Sequence, residues 1–128
     1  MKMYIKSVMV SDQQKALEFY TEKLGFAVKN DIPMGEFRWL TLVSPEEPEG
    51  TELGLEPNQY EAAQALQKAL YADGIPWTAF SVSDIEGEVA KLKDRGVAFK
   101  TEPMKAGGAT IATFDDTCGN YIQLIQLD

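Results

Sequence analysis

The 128-residue chain has no histidine. Neither Ser-His-Asp nor Cys-His machinery, nor an imidazole general base, nor a His-ligated zinc or iron site can be built from it. One thiol is present, Cys118, in the run Asp115-Asp116-Thr117-Cys118-Gly119. A reactive thiolate needs an electropositive setting, and two adjacent carboxylates oppose one, so Cys118 is expected to be inert. Gly107-Gly108 is too isolated to suggest a phosphate loop and reads as a hairpin turn or a lid. The remaining chemistry belongs to carboxylates, amides and aromatic rings. Arg38 and Trp39, on a predicted strand, could grip an anionic or aromatic ligand, although a strand arginine is more often a surface residue.

The elements that must position these groups are legible as an internal repeat, the feature to seek first. Val8-Met9-Val10-Ser11-Asp12 is similar to Phe80-Ser81-Val82-Ser83-Asp84, at an offset of 72. Each run has strand character and ends in Ser-Asp, and each Asp opens a helical pattern. Ala16, Leu17, Tyr20 and Leu24 fall on one face of the first helix, and Ile85, Val89 and Leu92 on one face of the second. Spacings of three and four mark amphipathic helices, and Asp12 and Asp84 read as N-caps. Both helices stop at glycine: Leu24-Gly25-Phe26-Ala27-Val28 parallels Arg95-Gly96-Val97-Ala98-Phe99. Pro33-Met34 parallels Pro103-Met104. Glu52-Leu53 parallels Gln123-Leu124, each pair beginning 27 residues after its glycine.

The expected architecture is α+β, with two tandem βαβββ modules. The first spans residues 1–57, with strands near 5–10, 26–30, 38–43 and 51–56. The second spans 76–128, with strands near 77–82, 98–101, 110–114 and 121–127. Residues 58–75 form a helical linker with Ala62, Leu66 and Leu70 on one stripe. A unit of about 50 residues buries too little surface to stand comfortably alone, so the modules are expected to pack together or to exchange with those of a second chain.

Composition narrows the partners. Twelve Lys+Arg against 20 Asp+Glu give a formal charge of −8, the wrong sign for binding a phosphate backbone. No apolar run approaches a membrane span, Met1–Val10 does not read as a signal peptide, and a single cysteine cannot form an intrachain disulfide. These point to a cytoplasmic protein with no nucleic-acid or membrane partner.

The residues resemble the vicinal oxygen chelate superfamily, the glyoxalase, bleomycin-resistance and extradiol-dioxygenase group. The resemblance covers nearly the whole chain. It rests on Val-Ser-Asp followed by Ala-Leu-Glu-Phe-Tyr-Thr-Glu-Lys-Leu-Gly-Phe (16–26), and on Phe114-Asp-Asp-Thr-Cys-Gly-Asn-Tyr-Ile-Gln-Leu124. It implies two modules whose curved mixed sheets enclose a cleft, and often a homodimer. In metal-dependent members, one ligand comes from the first strand and one from the last strand of each module. Those positions carry over to Ile5, Glu52, Trp77 and Gln123. Ile5 and Trp77 cannot ligate, and two ligands, one of them neutral, make a poor divalent site. The metal site is therefore read as degenerate, with no metal and no cofactor implied.

If Ile5 faces the cleft, period-two alternation places Ser7 and Met9 there too. Trp77, Ala79 and Ser81 follow by the same logic, as do Glu52, Gly54 and Glu56, and Tyr121, Gln123 and Ile125. Val8, Val10, Leu53, Leu55, Ile122 and Leu124 are then core. Such a lining suits a small-molecule pocket. Glu52, desolvated beside Trp77, could act as general acid or base or pair with a cationic ligand; the plainer alternative is a remnant of the ligand position, hydrogen-bonded to Gln123 or water. Trp77 could stack on a planar or cationic ligand or fill the volume of the missing metal. Two function classes follow. One is a binding protein that holds a small, partly aromatic or cationic molecule through Ile5, Ser7, Met9, Arg38, Trp39, Glu52, Trp77, Ser81, Tyr121 and Gln123. The other is a lyase, isomerase or oxygenase, either metal-free with Glu52 as acid/base or with an atypical metal site.

Overall fold

A computed structural model describes residues 1–128 as two compact units, Met1–Leu66 and Gln67–Asp128. In the first unit, β1 (Ile5–Val10) leads into α1 (Gln13–Glu18), which continues as a π-helical turn over Phe19–Lys23. Then come β2 (Ala27–Met34), β3 (Phe37–Val43) and β4 (Glu52–Pro57). The sheet order is β1-β4-β3-β2, with β1 and β4 parallel and the other pairs antiparallel. This is one βαβββ module. Asp12 caps α1 by accepting the Lys15 N–H at 2.9 Å, as its position before the apolar stripe requires. Val8, Val10, Leu40, Leu42, Leu53 and Leu55 are buried, and Ala16, Phe19 and Tyr20 of the helix are buried with them. Full burial of such a side chain is worth about 1.5–3 kcal/mol each.

After α2 (Glu61–Ala72), the second unit repeats the plan. β5 (Thr78–Ser81), α3 (Ile85–Asp94), β6 (Phe99–Lys105), β7 (Ala109–Asp115) and β8 (Tyr121–Leu127) form a module whose sheet order is β5-β8-β7-β6. Asp84 caps α3 through the Gly87 N–H at 3.1 Å. A Cβ at position 87 would collide with the Asp84 carboxylate, so the cap depends on glycine there. Gly25 and Gly96 follow their helices with φ of 84° and 86°, the left-handed conformation that lets the chain leave a helix and re-enter a strand. Gly107-Gly108 is the tip of the β6–β7 hairpin, closed by Ala106 N–H to Ala109 O at 2.9 Å.

Two local expectations fail. The first helix does not keep one α-helical stripe. The Leu24 N–H reaches Phe19 O, five residues back. The wider π turn buries two consecutive rings, Phe19 and Tyr20, packed edge to face at 5.5 Å. In the linker, α2 does not bury the full Ala62–Leu66–Leu70 stripe, of which only Leu70 is half-buried. Ala62 and Leu66 are exposed, Leu66 by 49%, while Gln67 is only 4% exposed. Gln67 donates to Asn120 Oδ1 at 3.1 Å. A buried amide requires a partner, and satisfying it sets the rotation of the helix.

Candidate functional site

The face of the first sheet opposite α1 is built by strand register. Ile5 stands beside Glu52, Ser7 beside Gly54 and Met9 beside Glu56. Parallel neighbours share a face, so these six side-chain positions lie on one side, with Val8 and Val10 on the other. Gly54 is the floor: a Cβ there would sit 3.1 Å from both Ile5 Cδ1 and Ser7 Oγ. Thr41 pairs with Gly54, Asn30 with Thr41, Ile32 with Trp39 and Met34 with Phe37. The face therefore continues through Phe37, Trp39 and Thr41 of β3 and Asn30, Ile32 and Met34 of β2.

At its centre is a polar group. Asn30 Nδ2 donates to Thr41 Oγ1 at 3.0 Å and to Glu52 Oε1 at 3.2 Å. Glu52 is only 7% exposed, and no lysine or arginine pairs with it. No fully buried side-chain oxygen lacks a partner, so the second Glu52 oxygen is the one that reaches the surface. Asn30 and Thr41 were not singled out from sequence. Alternation along β3 could have flagged Thr41. Asn30 could not be placed, because β2 and β3 shift register between Val28 and Asn30.

Arg38 does not join this face, although Trp39 does. Neighbouring residues of a strand point to opposite sides, and the Arg38 guanidinium lies on the helix side. It donates to both Asp31 carboxylate oxygens, at 2.9 and 2.7 Å, and to Gln14 Oε1 at 2.7 Å. This bidentate pair holds Asp31 below the usual carboxylate range and raises Arg38 further. Beside it, the buried Gln13 amide bridges two strands. Its Nε2 donates to Arg38 O and Leu55 O, both at 2.8 Å, and its Oε1 accepts the Arg38 N–H at 3.0 Å. The β3–β4 ladder spans only Thr41–Gly54 and Leu42–Leu53; where the strands part, the Gln13 side chain stands in for backbone.

In the second unit, Ala79 stands beside Gln123 and Ser81 beside Ile125. Trp77 precedes β5, and its N–H donates to Tyr121 O at 2.8 Å. The matched spacing of the two modules would put Trp77 level with Gln123, as Ile5 is level with Glu52. Instead, β8 is displaced by two residues. The same displacement appears against β7, where Thr113 pairs with Gln123 although Thr41 pairs with Gly54. An even slide keeps the face and gives Tyr121 the place that Glu52 holds in the first unit. The Tyr121 ring is stacked on Tyr71 at 4.2 Å and 5°, with Lys100 Nζ 5.0 Å from its centroid. Tyr71 donates to Asp115 Oδ2 at 2.5 Å.

Cys118 is buried in the turn before β8. There Asp116, fully buried, accepts from Cys118 N at 2.8 Å, Asn120 N at 3.0 Å and Asn120 Nδ2 at 2.8 Å.

The donor set does not suit a divalent ion. Glu52 has an isoleucine beside it where a second ligand would stand, and Gln123 has an alanine. No three His, Cys, Asp or Glu side chains converge. No helix is long and apolar enough to cross a membrane.

Two βαβββ modules, each with an open sheet face and a polar centre in the first, define a vicinal-oxygen-chelate-type protein. Residues 4–124 match the model of the Glyoxalase/Bleomycin resistance protein/Dioxygenase superfamily, and the chain belongs to that superfamily. It is 58% identical over 126 residues to the uncharacterized protein YurT of Bacillus subtilis, covering 98% of this chain and 99% of that one. It is 32% identical over 123 residues to a probable lactoylglutathione lyase of Synechocystis, covering 93% and 90%. Among solved structures it is similar to TnmS3, an antibiotic binding protein from Streptomyces sp. CB03234. That match has a TM-score of 0.76, 28% identity, and coverage of 100% of this chain and 97% of that chain.

Proposed function

We propose that this protein binds a small, partly aromatic molecule on the open face of its first sheet without a metal ion. Ile5, Ser7, Met9, Trp39 and Glu52 contact the ligand, and Ser81, Gln123 and the Trp77 side chain supply the corresponding face of the second unit. The reading also takes the protein as a cytoplasmic homodimer. The observation that carries it is the composition of the face: apolar and aromatic side chains around one buried carboxylate whose second oxygen reaches the surface. This is the usual makeup of a small-molecule site. The similarity to an antibiotic binding protein supports the same class.

A thermal-shift screen of planar aromatic compounds tests it. A ligand at 100 times its Kd adds about 2.7 kcal/mol of stability. Hits that are lost in Trp39→Ala support the reading; a blank screen overturns it. The enzymatic alternative has its own support in the likeness to a probable lactoylglutathione lyase and in the burial of Glu52. There Glu52 is the general acid or base, and full activity of Glu52→Gln on a substrate would eliminate that role.

A further inference from the structure

We infer that the ligand of this face carries a protonated nitrogen, such as an amine, amidinium or aromatic ammonium, joined to a flat apolar body. Glu52 is the receptor of that nitrogen, and Glu56, four residues along β4, adds a second negative charge to the face. This inference rests on the binding reading above and adds the charge and donor pattern of the ligand.

The face presents acceptors and no cation. Glu52 and Glu56 lie four residues apart on β4, beside Ile5 and Met9, so the carboxylates flank Gly54 at roughly 13 Å along the strand. Neither forms an ion pair. The Asn30 amide spends its donor on Thr41 and Glu52, which leaves its carbonyl oxygen as one more acceptor. The basic residues of these strands are directed elsewhere. Lys6 alternates to the other side of β1, where it is exposed. Arg38 is taken by Asp31 and Gln14. Lys29 sits at the β2 register shift and reaches Glu49 at 3.5 Å.

A carboxylate this buried ordinarily has a cationic or multiply donating partner, because desolvation without one is costly. Within the first unit Glu52 has a single amide donor, Asn30 Nδ2, which leaves its second oxygen available to a donor on a ligand. Trp39 and Phe37 on the adjacent strand offer ring faces. A cation held at an aromatic face gains from the ring quadrupole, and the net charge of −8 draws cations at long range. A neutral ligand can offer the second oxygen a hydrogen bond but no compensating charge, and an anionic ligand would meet two carboxylates.

The test uses three probes of one ring system on the full chain at low salt, with affinities from fluorescence titration and calorimetry. They are 9-aminoacridine (a planar cation at neutral pH), acridine (neutral) and acridine-9-carboxylate (an anion). The expected order is cation, neutral, anion, with the cation about tenfold tighter than acridine, as a desolvated charge pair provides. Glu52→Gln is nearly isosteric and keeps an acceptor for Asn30. It should bring 9-aminoacridine to within about twofold of acridine measured on the same variant, with circular dichroism and thermal unfolding verifying that the variant is folded. Glu56→Gln should lower the preference by a smaller factor, since that residue is only half-buried. Equal affinities for cation and neutral probe, a preferred anion, or a preference that survives both substitutions would overturn the inference. If no probe binds and the wider screen yields only neutral or anionic hits, the cation assignment fails and the binding reading stands. If the screen is blank as well, both fail.

Discussion

Removing the Gln13 amide tests whether a single helix side chain holds β3 and β4 at the point where their ladder ends. In Gln13→Ala, three hydrogen bonds of 2.8, 2.8 and 3.0 Å disappear together. Each is worth about 1 kcal/mol net, and a buried carbonyl left without a partner costs more. The buried Leu55 O is one such group. The expected loss is about 2–4 kcal/mol in urea unfolding, or roughly 10 °C in Tm for a chain of this size. Gln13→Glu is the sharper variant. It keeps an oxygen for the Arg38 N–H but turns a second oxygen toward two carbonyls, so it should destabilise more than Gln13→Ala at neutral pH. Amide exchange at Arg38 should accelerate in Gln13→Ala, which removes the acceptor of that N–H. A loss under about 0.5 kcal/mol for Gln13→Ala, or a Gln13→Glu variant no worse than it, would refute the splice.

Asn120→Ala removes the Asn120 Nδ2 donor to the buried Asp116 carboxylate and the Oδ1 acceptor of Gln67; a loss of about 2–4 kcal/mol is expected by chemical denaturation. A double-mutant cycle with Gln67→Ala should be non-additive, because the two share a hydrogen bond. Gly96→Ala meets no atom within 4 Å, so its cost is that of an L-residue at φ 86°, about 1–2 kcal/mol, and Gly25→Ala should match it. The Asp115 carboxylate raises the ionisation of Tyr71 well above the ordinary 10.0. A group whose folded value is raised contributes stability that is fully present below the unfolded value and is lost as pH climbs toward the folded one. In an alkaline absorbance titration the Tyr71 phenol should ionise late, so Tyr71→Phe should lower the late amplitude by one phenol and Asp115→Asn should move that phenol to lower pH.

The fold was legible because its cues are local and repeated. Asp12 and Asp84 cap, Gly25 and Gly96 terminate, and alternation along β1, β4 and β8 sorts core from open face; each depends on a few neighbouring residues. Cues that depend on distant partners were not legible. Ala62 and Leu66 looked like a packing stripe, but the helix turns to bury Gln67 because Asn120, 53 residues away, needs its amide. Gln13 looks like an ordinary first-turn residue and is in fact part of the sheet. Arg38 and Trp39 were grouped as one ligand grip, yet adjacency on a strand separates them by the thickness of the sheet. Glu52 was found through the resemblance, whereas its partners Asn30 and Thr41 depend on a register shift that composition does not reveal.

The two-residue displacement of β8 bears on whether the two sheet faces could hold a metal alike. Equal spacing in the two halves makes Gln123 the sequence counterpart of Glu52. In space, the counterpart is Tyr121, and Gln123 falls where Gly54 lies in the first unit. Alternation tolerates this, because a slide of two residues leaves the core residues Ile122 and Leu124 in the core. Two-fold ligation does not tolerate it, since paired ligands must be level as well as on the same side. Placing histidine at positions 5 and 77 and glutamate at position 123 would therefore give an unequal pair of half-sites. The imidazole in place of Ile5 would stand level with Glu52, while the carboxylate in place of Gln123 would stand level with Ala79. The triple variant Ile5→His, Trp77→His, Gln123→Glu is expected to bind Zn²⁺ or Ni²⁺ no more than about tenfold tighter than Ile5→His alone in calorimetric titration. A gain of several orders of magnitude would mean that the strands re-register without difficulty, and that register does not limit metal binding.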